Sequence, residues 1–233
     1  MLNSSVLSKN LSITPFSIDN HQKTFPAFLA SSTYSFAYLI KNIDKFLAQA
    51  EKNDFANLPN IESRKRSFLL GRLSAKKAIM ALTKIENIQN IQISWGTKRQ
   101  PIVTCQNYPN VEISISHSQD ITMAIAFDKN CPMSIDIEKF TSAKNQSVKS
   151  QLTKHELCNF DKSTIDSLLL WTMKEALSKL LKTGLGVDFR FYEISQIFKK
   201  SNHIEGYFSN FPQYKVLSYV IGDLIYSLII RRY

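Results

Sequence analysis

The sequence predicts an α+β fold of two pseudo-repeated lobes, each a small, mainly antiparallel sheet packed on a long helix. Three observations lead there: two stretches of helical periodicity, short β-prone runs after each of them, and the same order of elements in both halves. At a shift of 100 residues, Phe36 and Tyr38 fall against Asp136 and Glu138, Leu69-Leu70 against Leu169-Leu170, and Ala75 against Glu175. Residues 1–32 show no periodicity and read as a loosely ordered arm. Residues 33–40, rich in aromatics, read as a strand, and 42–51 as a short helix. From 61 to 84 an apolar face of Phe68, Leu69, Ala75, Ile79 and Leu82 predicts a long helix. Strands follow at 91–95, 111–117, 121–128 and 133–138. Thr153, with Glu156 three residues on, has the form of a capping box. Ser163 or Thr164 opens a second long helix that ends before Gly184 and Gly186. Strands at 189–198, 204–208, 214–221 and 224–231 close the chain. The domain plan is an arm (1–32), an N-terminal lobe (33–131) and a C-terminal lobe (132–233).

At 233 residues and 44% apolar, the chain can bury a sizeable core. No apolar run approaches the ~20 residues that a membrane helix needs. The polar start lacks a secretory signal, so a soluble, cytoplasmic protein is expected. Cys105, Cys131 and Cys158 are widely spaced and form no CxxC pair, which points away from disulfides and zinc. The net charge of +10 favours an anionic partner: nucleic acid, a membrane, a phosphorylated small molecule or an acidic protein.

Four clusters carry the chemistry. In Met133-Ser-Ile-Asp136-Ile-Glu138, strand alternation projects both carboxylates from one face, with Ile135 and Ile137 directed to the core. Two adjacent carboxylates repel unless a cation or proton lies between them, and hard oxygens suit Mg²⁺; the alternative is a solvated strand end with two unrelated acids. Trp171-Thr-Met-Lys174-Glu175-Ala-Leu-Ser-Lys179 places Glu175 and Lys179 one turn apart. That pair is either a surface salt bridge or the completion of a metal cluster with a phosphate partner beside it. Ile113-Ser-Ile-Ser116-His117-Ser118 puts Ser114 and Ser116 on one face of a strand ending in an imidazole; these groups can bind phosphate, or the histidine is a structural or surface residue. In the helix from Arg64 to Lys77, Lys65, Arg72 and Lys76 fall near one line at the edge of the apolar face, with Arg66 a third of a turn away. This is either the wall of a cleft or a solvated, RNA-binding face.

Together and in this order the clusters resemble the 4'-phosphopantetheinyl transferase superfamily, in its larger two-lobed type that activates peptide synthetases. The resemblance rests on Arg66, Gly71, Arg72 and Lys76 in the basic helix, Ser116-His117-Ser118, Asp136-Ile-Glu138, and the run from Trp171 to Lys179. It covers residues 34–233. Two departures are Ser134, where the family usually has glycine, and Arg99-Gln100-Pro101, where it commonly has Gly-Lys-Pro.

The resemblance implies transfer of the phosphopantetheine arm of coenzyme A to a serine of an apo acyl, polyketide or peptidyl carrier protein, with release of 3',5'-ADP. Asp136, Glu138 and Glu175 would hold Mg²⁺. Glu175, or Glu156 through a water, would be the general base, Lys179 would stabilise the leaving group, and Lys174 would support. Arg66, Arg72, Lys76 and His117 would grip the coenzyme phosphates, with Lys98, Pro101 and Ser116 alongside. The expected partners are coenzyme A and an acidic carrier, not nucleic acid or a membrane, and the expected state is a cytoplasmic monomer. A basic nucleic-acid-binding module without catalysis, or an inactive relative that binds coenzyme A alone, are the rivals.

Overall fold

The chain divides into two units, Met1–Pro132 and Met133–Tyr233, in a computed structural model that describes residues 10–20, 22–160 and 166–233. The first unit begins with a hairpin, β1 (Leu11–Asp19) and β2 (Thr24–Ser32). Two strands from later in the chain, β5 (Val111–Ser118) and β6 (Ile121–Asp128), complete an antiparallel sheet in the order β1-β2-β6-β5. Residues 11–19 and 24–32 are therefore strands and not a loose arm. Each is broken by a proline, and they are held by pairing with one another and, through β2, with β6.

Residues 33–40 also depart from expectation. Phe36–Lys41 forms helix α1, whose N-cap Ser35 accepts a hydrogen bond from the Tyr38 N–H at 3.3 Å. The aromatic run is β-prone, but the cap and the burial of Leu39 against α4 decide for helix. Short helices α2 (Ile43–Phe46) and α3 (Gln49–Ala56) lead to the long α4 (Glu62–Thr83). One side of α4 sets Ala75, Ala78 and Ile79 against Ala30, Ile113 and Ala124 of the sheet. Its other side sets Leu69, Leu70 and Leu73 against Leu39, Phe46 and Leu47. A separate hairpin of β3 (Ile91–Trp95) and β4 (Pro101–Cys105) follows.

The second unit opens with β7 (Ser134–Lys139) and passes through α5 (Ser142–Val148) and α6 (Lys154–Asn159) to the long α7 (Asp166–Leu181). The expected helix start at Ser163 or Thr164 lies outside the described residues. Four strands follow: β8 (Ile194–Lys199), β9 (Ile204–Phe208), β10 (Tyr214–Ile221) and β11 (Leu224–Arg231). They form an antiparallel sheet in the order β7-β11-β10-β9-β8. The predicted strand start at 189 is instead a 3₁₀ turn, Phe189–Tyr192. Helix α7 lays Met173, Ala176 and Leu177 on Val216, Ile225 and Ile229. Gly206 permits this approach, because a Cβ there would stand 2.7 Å from Val216 Cγ1 and 3.2 Å from Met173 Sδ.

Each unit thus packs a long helix on an antiparallel sheet, and one buried device recurs in both. In the first, the carboxylate of Glu51 accepts the N–H groups of Ala48 (2.8 Å) and Ile93 (3.0 Å) and pairs with Lys76 of α4. Lys76 also donates to the Phe46 carbonyl at 2.7 Å. In the second, Glu156 accepts the N–H groups of Thr153 and Ile194, both at 2.8 Å, and pairs with Lys174 of α7 at 2.6 Å. Lys174 also donates to the Gln151 carbonyl at 3.2 Å. All four side chains are fully enclosed. This equivalence matches Lys76 with Lys174, so Ala75 does not superpose on Glu175. Burial is the leading influence on both lysines and lowers their pKa, against the pull of their glutamates.

Removing one member of such a pair leaves a buried charge uncompensated. Lys76→Met and Lys174→Met should each destabilise the protein by about 3–5 kcal/mol. Urea unfolding followed by circular dichroism measures this, and an unchanged midpoint would contradict the role given to these pairs.

Candidate active site

Ser134, Asp136 and Glu138 project from one face of β7, opposite Ile229, Ser227 and Ile225 of β11. That face is the one covered by α7. The Ser134 hydroxyl donates to the Ala176 carbonyl at 2.6 Å, and Lys179 Nζ donates to Asp136 Oδ1 at 2.6 Å. The carboxylates therefore lie on the helix-packed side of the strand. Ile135 and Ile137 lie on the opposite face, fully buried in the core as expected, so the strand is covered on both faces. Ser134, one departure from the resembled pattern, is a small residue whose hydroxyl is satisfied by the helix backbone.

Glu175 stands one turn before Lys179 on α7. Its pKa is pushed up to about 7, first by burial and then by the charge of Asp136; Glu138 adds to the rise and Lys179 opposes it. Burial likewise raises Glu138, against its ion pair with Lys144 of α5. The three carboxylates thus share one electrostatic neighbourhood in which like charges strain one another, with Lys144 and Lys179 as internal counter-charges. Among the described residues, no group of three or more His, Cys, Asp or Glu side chains is drawn together as a metal cluster. The donor set itself, hard carboxylate oxygens under mutual repulsion, fits a small divalent cation. Glu138, Lys144 and Glu175 line a cavity of about 710 Å³ that continues over Val148, Trp171, Val187 and Phe189.

A second cavity, of about 350 Å³, lies within the first unit and is lined by Arg72, His117, Phe68, Trp95 and Ser67. Arg72 is 1% exposed and held between the rings of Phe68 (4.5 Å) and Trp95 (4.6 Å). Its Nε is 3.6 Å from Glu51, while Nε and Nη2 donate to no acceptor among the described residues. Burial, opposed by Glu51 and Asp54, takes its pKa down to about 10, so it stays cationic. The ring of His117 accepts or donates at Nδ1 to Thr122 Oγ1 (2.8 Å) and lies over Gly71, where a Cβ would come within 2.9 Å of Cε1. Gly71 is therefore what lets helix and histidine meet.

Two of the expected site residues are enclosed. Lys76 is wholly enclosed with Glu51, and Glu156 with Lys174 and two backbone N–H groups. Both side chains are paired inside the fold and line neither cavity, in contrast to the coenzyme contact and general base expected of them. Arg66 pairs with Asp120 and donates to the Tyr34 carbonyl at 3.2 Å, outside the lining of the Arg72 cavity. Ser116 is buried on the face of β5 opposite His117, so the two do not share a ligand in this cavity. Lys98 and Arg99 are exposed in the β3–β4 turn that leads to Pro101. Arg99, where the resembled pattern has glycine, has φ 59°, the left-handed conformation that glycine adopts at little cost. The Gln100 side chain folds back to accept the Lys98 N–H at 3.0 Å.

Sequence reasoning missed Glu51, Trp95, Lys144 and Phe189. Glu51 had a faint signal, standing three residues after a helix start as Glu156 does. The others carry none locally, because their place is set by tertiary packing.

Residues 132–228 match the model of the ACPS family, described as the 4'-phosphopantetheinyl transferase superfamily. Solved structures similar to this chain include the holo-ACP-synthase from Plasmodium yoelii, at 21% identity, covering 40% of this chain and 83% of that one, with a TM-score of 0.34. Another is a holo-(acyl-carrier-protein) synthase from Bacillus anthracis str. Ames in complex with CoA (3',5'-ADP), at 20% identity, covering 51% and 94%, with a TM-score of 0.36. No curated protein matches the chain.

A carboxyl whose pKa is raised in the fold favours folding while protonated, and that contribution is lost as pH rises from about 4.5 to about 7. In metal-free protein, Glu175→Gln should therefore raise stability at pH 8 by on the order of 2 kcal/mol, with the gain vanishing by pH 5. Urea unfolding at the two pH values tests it. A gain that does not depend on pH would contradict the strained-carboxylate reading.

Proposed function

We propose that the chain is a 4'-phosphopantetheinyl transferase that moves the phosphopantetheine arm of coenzyme A to a serine hydroxyl of an apo carrier protein. The observation that carries this reading is that Glu138 and Glu175 line one cavity and share an electrostatic neighbourhood with the Asp136–Lys179 pair, within the segment matched by the superfamily model. The serine oxygen forms a bond to the β-phosphorus of coenzyme A as the bond to the bridging oxygen breaks, and 3',5'-ADP leaves. Glu175 accepts the serine proton, because a carboxylate poised near neutrality is both basic and ionisable at working pH. Lys179 stands over the same carboxylates and compensates negative charge developing on the leaving phosphate. A magnesium ion held by Asp136, Glu138 and Glu175 would neutralise the diphosphate and polarise its phosphorus.

The cavity at Arg72 and His117 is proposed to take a phosphate of the coenzyme, since a buried guanidinium with N–H groups to spare is an anion receptor. Lys98 and Arg99, exposed in the turn before Pro101, are proposed to supply further cations where the resembled pattern has lysine. The surplus of 10 positive charges would steer both coenzyme and an acidic carrier toward the protein. A cytoplasmic monomer is the proposed setting.

The test is incubation with coenzyme A, Mg²⁺ and a panel of apo carriers, read by intact mass. The reading expects a gain of one phosphopantetheine. Tight RNA binding with no mass gain on any carrier would replace it with the nucleic-acid-binding alternative. Asp136→Ala should abolish transfer with the fold intact, and Glu175→Ala should lower kcat by ~10²–10⁴-fold. Lys179→Ala should lower kcat more than it weakens coenzyme binding, and an unchanged kcat would remove it from the mechanism.

A further inference from the structure

The two rings that hold the Arg72 guanidinium have different origins. Phe68 precedes Arg72 by one turn of α4, so their contact follows from helix spacing. Trp95 ends β3, and no spacing in the sequence brings it to the arginine. Alternation along β3 puts Ile91, Ile93 and Trp95 on one face. The two isoleucines are fully buried in the core, whereas Trp95 is 50% exposed, so its place is not that of a core residue. Two ties fix it. The Ile93 N–H, two residues back, donates to Glu51 Oε1 at 3.0 Å, and the same oxygen stands 3.6 Å from Arg72 Nε. One carboxylate thus sets β3 beside the arginine. Past Trp95 the chain turns at once, with the Gly96 N–H donating to the Gln100 carbonyl at 2.8 Å and Trp95 paired with Pro101 across the hairpin.

Resting on the transferase reading, which gives Arg72 a phosphate of the coenzyme, we infer that Trp95 is a positioning residue acting on the ligand through Arg72. It keeps the guanidinium against Phe68 in the setting that receives the anion. An arginine free to rotate gives up many rotamers when it meets an anion, and a ring on each side removes that freedom beforehand. The rings also exclude water from the cation, which strengthens its attraction for a phosphate. Phe68 alone would leave the guanidinium open to rotation and to water on the side that Trp95 covers. The helix supplies half of the clamp, and the β3–β4 hairpin completes it.

By isothermal titration calorimetry, Trp95→Ala should weaken coenzyme A and 3',5'-ADP by about tenfold each. The KM for coenzyme A should rise in step while kcat stays within about twofold, because Glu175 and Lys179 are untouched. Trp95→Phe, which returns a ring to the cation, should restore both affinities to within about threefold. Thermal unfolding should show both variants folded, since half of the Trp95 side chain is in solvent. The signature of positioning is non-additivity: in Arg72→Met protein, adding Trp95→Ala should weaken 3',5'-ADP no further. A second loss of about tenfold in that double variant would overturn the inference, because the ring would then hold the ligand itself. Inorganic pyrophosphate keeps the test open if Arg72→Met does not fold. It has no base to stack on a ring, so Trp95→Ala should weaken it as much as 3',5'-ADP, and a loss confined to 3',5'-ADP would overturn the inference. So would unchanged affinities in Trp95→Ala. If the unmodified protein bound neither coenzyme A nor 3',5'-ADP, the transferase reading itself would fall and take this inference with it, a result separate from the others.

Discussion

The buried pair of Glu156 and Lys174 sets the geometry on which the candidate site depends. Glu156 ties the start of α6 to the start of β8 through two backbone N–H groups, and Lys174 locks α7 to that point. Neighbouring residues on a helix diverge by about 100°, so directing Lys174 inward turns Glu175 toward a different surface. Lys179, one turn beyond Glu175, then reaches Asp136 on β7. An enclosed ion pair contributes little net stability compared with apolar packing, but it fixes a rotational setting that apolar contacts alone would leave looser.

The first unit uses the same device for a different end. Glu51 and Lys76 hold α4 as Glu156 and Lys174 hold α7, but β2 (Thr24–Ser32) carries no carboxylate where β7 carries Asp136 and Glu138. In place of acids this unit offers Arg72, one turn before Lys76, clamped by two aromatic rings and leaning on Glu51. A single structural plan thus presents carboxylates in one copy and a cation in the other. The net positive charge is divided accordingly: Lys76 and Lys174 are consumed inside the fold, and Arg72 is buried but retains donors.

Much of this was legible in the chain. The two long helices follow from their apolar periodicity, and β3, β5, β6 and the last three strands from β-prone runs. The Asp136–Glu138 and Glu175–Lys179 pairs were identified from their spacing, since residues two apart on a strand or four apart on a helix share a face. Residues 11–32 were not legible. The hairpin they form is joined to the sheet through β2 and β6, about a hundred residues later, and no local pattern encodes that partner.

The sequence by itself determined which residue types stand at which period: carboxylates two apart, a glutamate and lysine one turn apart, and glycine at position 71 beside the arginine. Only the tertiary structure decided which of the charged groups are enclosed. From spacing alone, Lys76 and Arg72 are equivalent cations and Glu156 and Glu175 equivalent acids. In the fold Lys76 and Glu156 are saturated by enclosed partners, while Glu175 and Arg72 line cavities and Arg72 Nε and Nη2 keep no acceptor among the described residues. The reason is physical: solvation and partner geometry depend on the surroundings of a side chain in three dimensions, and a sequence specifies those only through long-range contacts.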